Sequence, residues 1–159
     1  MRIRCIDDKV VDVPGYSLAG SRLDGLELHR ALLEEHDLSH ASLLGTDLRG
    51  AFMYRANLSR ALMDHASVIT TDLRLANLRG ASLRDCRAAA CRFDGADLSG
   101  ADLEGADVGG ATFEGAKLNG ARLFCNRIDS ALFRGATFNV HTQWQSGFDP
   151  VAAGAVLEA

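Results

Sequence analysis

Large hydrophobic side chains recur along this chain with a period of five. From Tyr16 to Phe138 the apolar centres run Leu18, Leu23, Leu28, Leu33 and onward to Ile128, Phe133 and Phe138. They make 25 units in register, and only Ala88 among the centres is small. Two residues before each centre stands Ala, or else Ser, Thr, Cys or Asn; Tyr16, Leu26 and His36 are the exceptions. Two residues after the centre glycine occupies 12 of the 25 sites. A period of five is neither the helical 3.6 nor the strand period of two. It fits a short extended piece followed by a turn. Residues two apart in an extended piece point the same way, so the small residue and the centre both face inward. The residue between them and the two turn residues face water, and glycine at the turn permits a positive φ.

The flanks depart from this pattern and divide the chain into residues 1–15, 16–138 and 139–159. In the first segment, 2–6 and 10–13 are β-prone runs around Asp7-Asp8-Lys9, which predicts a strand or tight hairpin closing the first end. In the last, Asp149-Pro150 reads as a helix start, with Asp as N-cap and Pro at the first helical position. A short helix is expected over 150–158, with Trp144 and Phe148 covering Phe133 and Phe138 of the last coil. The competing reading uses the same aromatics as a homodimer interface.

The densest stretch of the repeat, residues 94–122, contains Ala96-Asp97-Leu98 and Ala101-Asp102-Leu103, and Ala76-Asn77-Leu78 matches them upstream. These units resemble the pentapeptide-repeat family, whose consensus is A-(D/N)-L-x-x. The resemblance implies an all-β solenoid: a right-handed quadrilateral β-helix with four units per coil. Twenty-five units then make about six coils, followed by the short C-terminal helix. Residues four units apart stack, so Leu33, Met53, Leu73, Phe93, Phe113 and Phe133 share one side. Leu28, Leu48, Val68, Ala88, Val108 and Ile128 share the preceding side, where smaller residues offset the phenyl rings. Some family members bind DNA gyrase as acidic mimics of duplex DNA, and some pair through their C-terminal ends.

Composition narrows the function by exclusion. The chain has 159 residues, a formal charge of −4 and 47% hydrophobic residues. No opening apolar stretch resembles a signal peptide and no run suits a membrane span, so a cytoplasmic location away from the membrane is expected. Cys5, Cys86, Cys91 and Cys125 lack paired metal-ligand spacing, and the five histidines form no cluster, so no metal and no cofactor is expected. Cys125 falls at a turn of the strict repeat and is the one candidate for thiol chemistry. His36 falls on an inward site as a core histidine. The reading is non-enzymatic.

Two surface features remain. Between Phe93 and Ala116 lie six acids (Asp94, Asp97, Asp102, Glu104, Asp107 and Glu114) without a Lys or Arg. Arginine dominates residues 49–92, with cross-coil ion pairs such as Arg74 over Asp94 expected. Outward apolar residues Leu32, Phe52, Tyr54 and Leu75 stack on one side beside Arg55 and Arg74, a candidate protein-binding patch. The function read from these is an interaction scaffold for a protein partner. The alternative is a DNA-mimicking gyrase binder driven by the acidic belt. Direct nucleic-acid contact is not expected.

Overall fold

A computed structural model describes residues 1–158. Parallel bridges join residues four units apart, and four such bridges make a coil: Arg22 to Ser42, Glu27 to Asp47, Leu32 to Phe52 and Asp37 to Asn57. The same ladder continues to Lys117–Thr137. Each side contributes one pair of backbone bonds per coil. Leu62 N–H donates to the Ala41 carbonyl at 2.9 Å, and Leu43 N–H to the Leu62 carbonyl at 2.7 Å. The result is a β-solenoid in which almost every backbone polar group of the coil interior is paired.

Turns join the sides. In the regular turns the residue after the turn bonds back to the centre, as Ala31 N–H does to the Leu28 carbonyl at 3.1 Å. The second turn residue holds a positive φ, which is what a type II turn demands of that site. Glycine is the usual occupant, yet Arg30, Glu35, His40, Arg55, Arg60, His65, Thr70, Leu75, Asp85 and Ala90 take the same left-handed conformation.

The interior is continuous. All the centres from Leu18 to Phe138 are buried, together with the Ala, Thr and Cys residues that precede them. Thr46 and Thr71 are tolerated inside because their hydroxyls donate to the Leu23 and Leu48 carbonyls, at 2.8 and 2.7 Å. Phe93, Phe113 and Phe133 stack with centroids 4.8 and 4.9 Å apart and rings within 10° of parallel. That spacing is the inter-strand distance, so the coil pitch sets the ring separation. The three large residues on small-residue sites are not fully buried, although Leu26 packs against the core. Tyr16 is fully exposed, and Leu26 and His36 are half-buried at the opening coils. His36 is therefore not a core histidine; its Nδ1 lies 2.9 Å from the Glu34 carbonyl oxygen.

The register is not unbroken. Asp107 pairs with Asn126, one position short of the regular step, and Arg122 with Gln143, one position beyond it. Cys125 rather than Asn126 fills the small inward site at this coil. Arg127 then takes a left-handed conformation, and a 3₁₀ turn over Ile128–Ser130 returns Ile128 to the interior. Arg127 holds the slip in place. Its guanidinium takes both carboxylate oxygens of Asp107, at 2.7 and 2.5 Å, and lies over Gly109, where a Cβ would collide with it.

Both ends carry additions. Strands β1 (Arg2–Arg4) and β2 (Val10–Asp12) form an antiparallel hairpin that buries Ile3, Cys5 and Val13. It bonds to the first coil through Leu32 N–H to the Arg4 carbonyl at 2.7 Å. Strands β3 (Arg122–Leu123) and β4 (Thr137–Phe138) close the repeat, and each receives one parallel strand from the tail, β5 (Gln143–Trp144) and β6 (Val156–Leu157). Trp144 and Phe148 meet Phe133 edge-on, both at 5.4 Å.

The helix expected over 150–158 does not form. Asp149 does cap a turn, its carboxylate accepting from the Val151 and Ala152 amides at 3.0 and 3.1 Å. The turn ends at Gly154, with φ +90°, and the chain becomes strand β6. Without β6 the outer edge of Thr137–Phe138 would have no partner; Val156 and Glu158 amides donate to the Ala136 and Phe138 carbonyls, each at 2.7 Å.

Candidate interaction surfaces

The apolar patch lies on the side of the phenylalanine stack. Leu32 and Phe52 are bridged in adjacent coils. Leu32 is 36% exposed and Leu75 47%, while Phe52 and Tyr54 are half-buried. Arg55 and Arg74 both lie on the Tyr54 ring, with Cζ at 5.1 and 5.6 Å from its centroid. Arg74 is held there by Asp72 of its own unit, through bonds of 2.7 and 2.6 Å, not by Asp94 of the next coil as the spacing predicts. The Arg74 guanidinium in turn holds the Asp72 carboxyl below its usual range. Asp94 instead accepts from the Thr112 hydroxyl and the Glu114 amide, at 2.9 and 3.1 Å.

Leu75 has a feature that the pattern does not reveal. It is an exposed leucine at a left-handed corner, φ +57°, where glycine is the usual occupant. Its side chain lies across Gly95 of the next coil, and a Cβ on Gly95 would collide with it. The same corner carries Glu35 and Arg55 in the two preceding coils, both left-handed.

The acidic residues form a belt around one coil rather than a stripe along the axis. Arginines from neighbouring coils already hold most of them. Arg79 pairs with Asp97 at 3.2 Å, and Arg127 takes Asp107. Arg84 and Arg122 each bridge Asp102 and Glu104, with four contacts between 2.7 and 2.9 Å. Burial works to raise the Asp102 carboxyl, but the Glu104 amide, Arg84 and Arg122 outweigh it and hold the group below its usual range. Asp107 is likewise held low, first by its bonds to Arg127.

The thiols are placed for packing. Cys125 is 1% exposed and donates to the Leu103 carbonyl at 3.4 Å, so it does not stand at an open turn. Burial pushes its thiol up to about 12, and pushes the thiols of Cys86 and Cys91 up as well. A protonated, enclosed thiol is a poor nucleophile. Among the described residues no cluster of His, Cys, Asp or Glu could hold a metal ion, and no helix is long and apolar enough to cross a membrane.

Two clefts escaped the sequence reading. One, of about 470 Å³, lies between the hairpin and the first coil, lined by Arg4, Lys9, Val10 and Leu32 among others, so the apolar patch continues into it. The other, of about 480 Å³, is lined by His29, Arg30, Arg49, Gly50 and Thr70. The one available signal was a side chain at a corner site where glycine is usual, as at Arg30 and Thr70.

Comparison with known proteins bears on the family. No curated protein matches the chain. Among solved structures, the pentapeptide repeat protein alr5209 from Nostoc PCC 7120 is 33% identical, over 70% of this chain and 84% of its own, with a TM-score of 0.39. HetL, a pentapeptide repeat protein involved in heterocyst differentiation regulation from the cyanobacterium Nostoc sp. strain PCC 7120, is 24% identical, over 88% and 73%, with a TM-score of 0.42. Full-length QnrB1, a plasmid-mediated fluoroquinolone resistance protein, is 20% identical, over 79% and 78%, with a TM-score of 0.37. The family profile of pentapeptide repeats matches in 8 copies, over residues 27–64, 71–110, 91–125 and 101–139. With its period of five, its four-unit coils and this profile match over most of its length, the chain belongs to the pentapeptide repeat family.

Proposed function

We propose that the chain is a non-enzymatic scaffold, a right-handed four-sided tower that docks a protein partner through Leu32, Phe52, Tyr54 and Leu75. The observation that carries this reading is Leu75. A leucine there exposes apolar surface and holds a left-handed backbone, two costs that glycine would avoid. Gly95 leaves room for it in the next coil. Around it stand an aromatic pair and two guanidiniums, the residue types enriched at interface centres. The enclosed, protonated thiols argue against thiol chemistry at Cys125.

The test is photo-crosslinking in the native cell from a benzophenone amino acid at position 75, with position 119 on another side as control. A discrete adduct from 75 alone, lost in Phe52→Glu/Tyr54→Glu, is the expected result. Equal adducts from both positions, or persistence in the double variant, removes the patch from the function.

The second reading, gyrase binding through the acidic belt, rests on Asp94, Asp97, Asp102, Glu104, Asp107 and Glu114. Neutralisation of most of this ring by arginines favours the first reading, since duplex mimicry needs free charge along the axis. A supercoiling assay with purified gyrase decides it: neither inhibition nor protection from a quinolone at large molar excess ends the idea. Self-association through the C-terminal end is disfavoured because Trp144 and Phe148 are turned onto Phe133, and sedimentation across a concentration series checks it.

A further inference from the structure

We propose that the cleft lined by His29, Arg30, Arg49, Gly50 and Thr70 binds a phosphate group, free or as a monoester. The site is independent of the apolar patch and does not rest on the scaffold reading. Arg30, Gly50 and Thr70 occupy the same corner of three successive coils, with His29 and Arg49 beside the first two. Gly50 forms the floor. A Cβ there would stand 3.5 Å from Arg30 Cγ and 3.9 Å from Thr70 Oγ1, so the arginine stem and the threonine hydroxyl border the bare Cα from the two neighbouring coils. None of the five lining residues is acidic.

The neighbouring carboxylates are already engaged. Asp47 takes Nε and Nη2 of Arg49, at 2.9 and 2.6 Å, which leaves Nη1 of that guanidinium free. Asp7 faces His29 Nε2 at 3.3 Å, and Glu27 faces Lys9 at 3.2 Å. Arg30 has no salt bridge among the described residues. The cleft is a shallow, open depression that offers one unpaired guanidinium, part of a second and a hydroxyl, with the His29 imidazole at its edge already facing Asp7. A guanidinium fork matches the oxygens of a phosphate, and the open rim leaves room for a substituent.

Backbone conformation is the second, independent observation. Thr70 has φ +55° and Arg30 +54°. Among the described residues Thr70 is the one β-branched side chain in a left-handed conformation, an outlier for its type, whereas Arg30 shares that conformation with many other corners of the solenoid. On this corner glycine serves at Gly50 and Gly110, and Ala90 is also left-handed. The hydroxyl that this strain positions donates only to the adjacent Ile69 carbonyl, at 2.7 Å, and can turn to a ligand.

The test uses the whole chain and two probes, inorganic phosphate and O-phosphoserine, titrated at constant ionic strength in chloride and followed by backbone amide shifts. Saturable shifts confined to residues 29–30, 49–50 and 70 are expected. Arg30→Gly weakens binding by about tenfold or more, through loss of a charge-assisted bond. Thr70→Gly weakens it several-fold while raising the melting temperature, because glycine suits this corner; both variants therefore keep the fold. Tighter binding of O-phosphoserine identifies a monoester with its substituent in the cleft, and equal binding identifies the phosphate group alone. Shifts spread over other arginines such as Arg60 and Arg87, no saturation, or no change in Arg30→Gly overturns the proposal.

Discussion

Truncation of Phe113 to alanine measures how far the stacked interior is a rigid solid. Phe113 is fully buried, with Phe93 at 4.8 Å on one side and Phe133 at 4.9 Å on the other. Removing a buried phenyl ring costs about 3–5 kcal/mol, the spread reflecting how well the site collapses. Here collapse is opposed on both sides. The Phe113 amide donates to the Leu132 carbonyl and the Phe93 amide to the Thr112 carbonyl, each at 2.7 Å. The coils above and below therefore keep their spacing, and the cavity stays open. The two lost ring pairs add about 0.5–1.5 kcal/mol each. A total of about 4–8 kcal/mol follows, or roughly 10–30 °C in melting temperature for a chain of this length. Phe113→Leu keeps most of the volume and forfeits mainly the ring pairs, at about 1–2 kcal/mol. Urea unfolding of both variants at equal protein concentration is the assay, with hydrogen exchange at residues 93–133 to show whether the loss is local, as solenoids allow. A cost below about 2 kcal/mol for the alanine variant, or equal costs for the two, would falsify the picture of a pitch-locked stack.

Two further outcomes follow from the same geometry. With the thiols of Cys86, Cys91 and Cys125 enclosed and their proton affinities raised by burial, a colourless disulfide reagent at neutral pH should leave these three unmodified until denaturant is added; rapid native-state labelling of Cys125 refutes its assigned place. The carboxyls of Asp47, Asp72 and Asp107 are held low first by their bonds to Arg49, Arg74 and Arg127, so each stabilises the fold fully above the unfolded-state value of about 4 and loses that contribution as pH falls through its lower folded value. Melting temperature should therefore fall on acidification below about pH 4, and a rise there contradicts the pairing.

The period of five by itself determined the interior. A residue's side of the backbone is set by its neighbours two positions away, and the turn by a site that tolerates positive φ, so both are local and both are written in the sequence. The stacking of Phe93, Phe113 and Phe133 follows once four units make a coil, which the family resemblance supplied. What happens between coils is not local. The slip by one position that brings Cys125 inward leaves Leu123, Ile128 and Phe133 on their regular positions, so the apolar centres do not betray it; the pairing of Asn126 with Asp107 does. The choice of Arg74 for Asp72 over Asp94 depends on rotamers packed against Tyr54. The tail shows the same division. Asp149-Pro150 carries a sound local signal for a helix start, and one turn forms, but the open edge of Thr137–Phe138 then draws Val156–Leu157 into a strand. An unpaired backbone edge exists only after the tower has been assembled, and the sequence of the tail alone holds no record of it. The phosphate cleft and the Leu75 corner belong to this second kind, since each depends on side chains a full coil apart being brought to one place.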